Sequence, residues 1–143
     1  MTEQAIVPLY FRLPHPPSTN SIWRGGKGGR HYLSAKYKAW REEAFLMVKV
    51  DAKGKRIAGP FAVQINARRP DNRKRDIDNL IKPVLDLLAL AAVTDDDSEC
   101  QMVEAQWIER GVGLWVAVRP TTRWGAEPWT IPVQHQTLTE PAP

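Results

Sequence analysis

The sequence predicts an α+β domain, a mixed β-sheet carrying two main helices in the order β-α-β-α-β-β. Three observations carry this expectation. A chain of 143 residues can bury one hydrophobic core but not two ordinary ones. Short stretches with strand-like alternation are interleaved with two stretches of helical periodicity. Hydrophobic residues at 43% and charged residues at 25% are globular values, which excludes a wholly disordered chain.

Each element has its own signal. In 5–13, Val7, Leu9, Phe11 and Leu13 alternate with Pro8, Tyr10 and Arg12, the pattern of a strand. Pro8 lacks a donor and places that strand at an edge or at its own start. Residues 14–33 read as a long loop, with the turn chemistry of Pro16-Pro17-Ser18-Thr19-Asn20 and a flexible basic stretch at Gly25-Gly26-Lys27-Gly28-Gly29. That stretch does not fit a Walker A loop. Ser34 is a good N-cap for a helix over 35–50, whose buried face is Tyr37, Trp40, Ala44, Met47 and Val48. Those aromatics read as core, not as a base-stacking platform.

A second strand follows at 60–68, with Phe61, Val63, Ile65 and Ala67 on one face and Gln64, Asn66 and Arg68 on the other. A second helix is expected over 78–91, apolar on most sides, with Asp78, Lys82 and Asp86 as one polar stripe. So apolar a helix implies burial on more than one side, in the core and in a subunit interface. Pro83 belongs in or near its first turn. Residues 94–99 form an acidic turn. Two strands, 100–109 and 114–119, are expected to pair as a hairpin around Gly111 and Gly113. Residues 1–119 thus make the domain. Residues 120–143, with five prolines in 24 positions, read as an irregular tail open to disorder, with Trp124 and Trp129 as candidates to pack on the body.

Charge is distributed unevenly. Residues 1–75 hold 16 Lys and Arg against 5 Asp and Glu, whereas 76–143 hold 4 against 11. A basic half suits a polyanion such as nucleic acid. The acids of the second half repel phosphate unless metal ions bridge the two. One cysteine, Cys100, excludes a disulfide framework and a multi-cysteine zinc site, so a reducing cytoplasm is the expected compartment. The longest apolar run has seven residues, far short of a membrane span, and the start lacks a signal peptide's basic region.

The chemistry concentrates in 68–99. A basic run, Arg73-Lys74-Arg75, leads into Asp76-Ile77-Asp78, and Asp95-Asp96-Asp97 returns after the helix. In an extended segment Asp76 and Asp78 point the same way and can converge on one ion. A helix of about 14 residues is about 21 Å long. The acidic turn must therefore fold back through the next strand or come from a partner subunit. Carboxylate-only ligands suit Mg²⁺ or Mn²⁺, and the three histidines are too far along the chain to suggest zinc. Lys82, one turn after Asp78, is either an ordinary ion pair with it or a cation for a scissile phosphate. Taken singly, each of these features is more often a solvated surface; together they suggest metal-dependent phosphodiester chemistry.

The run Arg75-Asp76-Ile77-Asp78-Asn79-Leu80, then Lys82-Pro83, Leu85-Asp86-Leu87-Leu88, Val93 and Asp96-Asp97-Ser98, resembles the RusA family of Holliday junction resolvases. So does Pro16-Pro17-Ser18-Thr19-Asn20 with Trp23-Arg24, Arg30, Ser34, Tyr37 and Trp40-Arg41. The resemblance covers about 7–119. It implies Mg²⁺-dependent nicking of four-way DNA junctions by a homodimer with two symmetric sites. By motif, Asp76, Asp78 and Asp97 are the metal-binding acids and Lys82 the active-site lysine. Arg69, Arg73, Lys74 and Arg75, with Arg24, Lys27 and Arg30, are the expected DNA-binding residues. The sequence departs from the family at Ala91-Ala92-Val93, where a glycine often precedes the valine, at the additional Asp95, and at Glu99-Cys100. Two rivals are a branched-DNA-binding protein that does not cut, and a nuclease acting on flaps, forks or RNA.

Overall fold

The computed structural model describes residues 8–18, 23–25 and 31–123. Its centre is β4 (Phe61–Arg68), which pairs in parallel with β5 (Cys100–Ile108) and antiparallel with β6 (Leu114–Pro120). On the far side of β6 lies β1 (Leu9–Leu13), antiparallel to it, so the sheet order is β1-β6-β4-β5. The mixed sheet is as expected; the hairpin is not. β5 and β6 are consecutive in the chain, but β4 lies between them. The short connection steps across the C-terminal end of β4, where Gly113 O accepts a hydrogen bond from Arg68 N at 3.1 Å. Gly113 has φ +72°, and a Cβ there would come within 2.3 Å of Leu13 O, so glycine is required for the close approach.

The expected loop 14–33 contains a small hairpin, β2 (Trp23–Gly25) with β3 (His31–Leu33). Polar and glycine-rich composition hid it. Residues 5–7 of the expected first strand, most of the glycine stretch with Lys27 and Arg30, and the tail with Trp124 and Trp129 lie outside the described residues. β6 extends through Pro120, and Thr121 N donates to Pro60 O, so the sheet runs just past the expected tail boundary.

Both helices cover one face of the sheet. Helix α1 (Ala35–Ala52) starts at Ser34, whose Oγ accepts from Tyr37 N at 3.2 Å, and buries Tyr37, Trp40, Ala44, Val48 and Ala52. Two hydrogen bonds tie it to the edge of the sheet: Trp40 Nε1 donates to Pro14 O, and Asp51 accepts from Arg12 N. The second helical segment divides into a 3₁₀ turn (Ile77–Leu80) and α2 (Ile81–Leu90). Pro83 falls in the first turn of α2, where its missing N–H costs nothing. Leu80, Val84, Leu87 and Leu88 join Phe61, Val63, Ile65 and the inward residues of β1 and β6 in one core. Gln64 and Asn66, expected on an outer face, are also buried because β4 is flanked on both edges. Asn66 Oδ1 accepts from Gln106 Nε2 at 2.6 Å, which satisfies part of that polar burial.

Candidate active site

The β4–α2 crossover carries the basic loop, the Asp-x-Asp pair and Lys82. Its shape is set by a residue the sequence reading passed over. Asp71 Oδ1 accepts from Arg73 N at 3.0 Å and from Arg75 Nε at 3.1 Å, while Oδ2 accepts from Arg75 Nη2 at 2.8 Å. This bidentate pair, with the Asx-type turn beside it, clasps the loop. The Arg75 guanidinium and the Arg73 amide hold the Asp71 carboxyl down to about 2. The i, i+4 spacing of Asp71 and Arg75 was the available signal. Arg75 is therefore engaged within the loop by two of its nitrogens, whereas the Arg73 side chain is 83% exposed and its Nε makes a long contact to Asp71 Oδ2 at 3.9 Å. Lys74 and Arg69 are exposed too.

Asp76 does not lie in one extended segment with Asp78. Asp76 keeps extended dihedrals, but its carbonyl accepts from Asn79 N and the chain turns into the 3₁₀ helix that contains Asp78. Asp76 occupies the N-cap position without making a side-chain cap bond. Both carboxylates are exposed, and neither has a hydrogen bond or ion pair among the described residues. An N-cap aspartate that caps nothing leaves its oxygens free for another partner.

Lys82 does not pair with Asp78. Its Nζ donates forward to Asp86 Oδ1 at 3.2 Å and lies 4.0 Å from Asp97 Oδ2. The chain thus folds back on itself: α2 has ten residues, about 15 Å, and the following turn returns Asp97 beside Lys82 without help from a second subunit. The three acids of this turn are not equivalent. Asp95 pairs with Arg56 and accepts from Gly59 N at 2.9 Å. Asp96 caps the short 3₁₀ turn (Asp97–Glu99), accepting from Ser98 N at 3.2 Å and from the Ser98 hydroxyl, which lowers its pKa. Asp97 keeps the long contact to Lys82, and its carboxyl lies beside that of Asp96.

Among the described residues no three Asp, Glu, His or Cys side chains converge closely enough to hold a metal ion. Asp76 and Asp78 share one turn; Asp97 stands with Lys82. The donor chemistry still fits Mg²⁺ or Mn²⁺. These ions take few protein carboxylates and complete their shell with water and phosphate oxygens, and Asp76 and Asp78 are oxygen donors with no competing partner.

Two clefts flank the basic loop. One, about 230 Å³, is lined by His15, Arg73, Lys74, Arg75, Asp76 and Trp107, among others. The other, about 470 Å³, includes Arg68, Arg69, Asn72, Trp107 and Glu109. His15 Nδ1–H donates to Pro16 O at 3.0 Å, and burial lowers the imidazole pKa, with the neighbouring Arg75 charge adding to the effect. Of the remaining expected DNA-binding residues, Arg24 lies in β2, and Lys27 and Arg30 fall outside the described residues.

An α+β fold with paired acids at the foot of a basic loop suits metal-dependent chemistry on a polyanion. The profile for the family Endodeoxyribonuclease RusA matches residues 14–119, and the chain belongs to that family. It is 33% identical over 89 residues to crossover junction endodeoxyribonuclease rusA of Enterobacteria phage HK97, covering 62% of this chain and 73% of the relative. Identity to the protein of that name in Enterobacteria phage 82 is 34% over 90 residues, covering 63% and 74%. For RusA of Escherichia coli K12 it is 36% over 87 residues, covering 61% and 72%. Among the described residues no helix is long and apolar enough to cross a membrane.

Proposed function

We propose that this protein is a Mg²⁺-dependent endodeoxyribonuclease that resolves four-way DNA junctions by paired, symmetric nicks, acting as a homodimer. The observation that carries the reading is the pair of uncommitted carboxylates, Asp76 and Asp78, directly after the clasped basic loop. The relatives, each named a crossover junction endodeoxyribonuclease, supply the substrate class.

The residues divide the work. Arg69, Arg73 and Lys74 hold the DNA backbone by phosphate contacts that release counterions. The Asp71–Arg75 clasp keeps that loop in shape, so the phosphates arrive beside Asp76. Asp76 and Asp78 would hold the ion, and Asp97, across α2 beside Lys82, would serve as the third acid. Asp95 and Asp96 are already engaged by Arg56, Gly59 and Ser98, which favours Asp97 for this role. When bound, Mg²⁺ supplies Lewis-acid charge that activates water and stabilises the leaving oxygen. Lys82 Nζ, exposed between Asp86 and Asp97, can swing to the scissile phosphate and offset its growing negative charge. Swinging costs little, because an exposed i, i+4 pair is worth a few tenths of a kcal/mol.

The homodimer rests on resemblance and on exposed apolar side chains of the two helices: Leu46 at 65%, Val50 at 72% and Leu90 at 53% exposure. Light scattering at micromolar concentration should give twice the chain mass.

An end-labelled synthetic four-way junction tests the activity. Wild type should make paired nicks with Mg²⁺ or Mn²⁺ and none in EDTA. Asp76→Asn should reduce nicking on the order of a hundredfold or more while still binding. Unchanged nicking by Asp76→Asn would overturn the site. Binding without nicking, over several junction sequences and both metals, would instead identify a non-cleaving binding protein. Faster cutting of flaps, forks or RNA would reassign the substrate.

A further inference from the structure

We propose that Trp107 is a stacking platform for an unpaired nucleobase of branched DNA. The inference rests on the branched-DNA reading above. It extends that reading from the phosphates to the bases.

Trp107 is unlike the other tryptophans whose burial is described. Trp40 and Trp115 are 5% and 3% exposed and belong to the interior. Trp107 is only half-buried, near the C-terminal end of β5, which is an edge strand of the sheet. It lines both clefts beside the basic loop. It packs against the hydrophobic core, and its other neighbours are polar. The Arg69 guanidinium lies over the ring, with Cζ 4.6 Å from the centroid. The His15 ring is parallel to it within 3°, at 6.2 Å between centroids.

The chemistry of this cluster suits one occupant. An indole face attracts any base by stacking, with little regard to sequence. Arg68 and Arg69 have no carboxylate partner among the described residues, and the adjoining loop presents Arg73 and Lys74, so the clefts attract the phosphates on either side of that base. Among the described residues Arg69 is held by Trp107 alone, and it can exchange the ring for a phosphate or for a base stacked beside it. Bases inside a duplex are already stacked on their neighbours and offer only their edges. A branch point, where stacking is interrupted, is where a base can be turned out at low cost. The platform therefore discriminates by structure, not by sequence. It lies next to Asp76, which lines one of the same clefts.

The test is equilibrium binding in EDTA, which needs no catalysis. The probes are a four-way junction with 2-aminopurine at the branch point, the same junction with 2-aminopurine within an arm, and a linear duplex. Wild type should alter the fluorescence of the branch-point base and not that of the arm. Trp107→Leu, which keeps apolar bulk without a π face, should bind the junction about tenfold more weakly and the duplex unchanged. Trp107→Phe should restore most of the junction affinity and the fluorescence response. Equal junction affinity for wild type and Trp107→Leu would overturn the platform. An equal loss on junction and duplex would also overturn it, since it would mark a packing role. Should Trp107→Leu not fold, the wild-type fluorescence decides alone: no response at the branch point overturns the platform. Wild type that binds linear and branched DNA equally overturns the branched-DNA reading beneath it, an outcome distinct from all of these.

Discussion

The two loops that flank α2 are opposite in charge and alike in construction. The loop before it is basic and is clasped by an acid: Asp71 binds Arg75 with both oxygens. The turn after it is acidic and is clasped from outside by a base, Arg56, which pairs with Asp95. Each loop satisfies part of its charge locally and leaves the rest weakly held. Arg73, 3.9 Å from Asp71, and the exposed Lys74 remain on one side; Asp97, 4.0 Å from Lys82, remains on the other. A run of like charge is thus two populations, one that builds the loop and one available to a ligand. Composition counts them together.

The largest expected effects separate these populations in the acidic turn. Asp97→Asn should reduce Mg²⁺-dependent junction nicking on the order of a hundredfold, with the melting temperature nearly unchanged. Asp95→Asn should do the reverse. It removes the Arg56 pair and weakens the bond from Gly59 N, so thermal stability falls while nicking persists. If Asp95→Asn abolished nicking at full stability, the division of roles in this turn would be wrong.

The basic loop gives the next effect, read from salt dependence. Each phosphate contact contributes about 0.9 to the slope of log affinity against log salt. Arg73→Ala should lower affinity several-fold across DNA sequences and reduce the slope by about that amount. Arg75→Ala should change the slope less, because its guanidinium is bound to Asp71. Equal slopes lost at both positions would show that the clasp opens on binding.

The same clasp has a pH signature. Asp71 titrates at about 2 in the folded chain, below the usual 3.8 of an aspartate. A depressed folded pKa stabilises where the carboxylate is ionised, so the contribution is present above about pH 4 and lost as pH falls toward 2. Melting curves between pH 2 and 5 should show a smaller acid-dependent decline for Asp71→Asn than for wild type.

The elements legible in the sequence were those set by local pattern. The periodicity of Tyr37, Trp40, Ala44 and Val48 predicts α1, and the alternation of Phe61, Val63 and Ile65 predicts β4. What local pattern cannot show is who neighbours whom. The insertion of β4 between β5 and β6 depends on long-range pairing, and so does the burial of Gln64 and Asn66. In the site, spacing and resemblance brought Asp76, Asp78, Lys82 and Asp97 forward. The partners that sort the charges, Arg56 with Asp95 and Lys82 with Asp97, are 39 and 15 residues apart and become visible only in three dimensions. Alternation in 100–109 puts Trp107 on one apolar face with Val103 and Ala105 but does not set its exposure, which follows from its place near the end of an edge strand.

The smallest expected effect concerns the turn that positions the acidic loop. Helix α2 ends with Ala92 N donating to Ala89 O and Val93 N to Leu88 O, each at 3.0 Å, and Val93 and Leu88 are both buried. This is a Schellman motif, which places its C′ residue in the left-handed region. That residue is Ala92, at φ 59°, the position at which the sequence departs from a common family glycine. An alanine held there costs about 1 kcal/mol relative to a residue without a Cβ. Ala92→Gly should therefore raise stability by about that amount and the melting temperature by a few degrees. The hydrogen bonds of the turn stay the same, so Asp97 keeps its place beside Lys82 and junction nicking should not change. A gain in stability together with a loss of nicking would mean that the alanine's rigidity at this turn contributes to holding Asp97. The third acid would then depend on the helix terminus as much as on the Arg56 clasp.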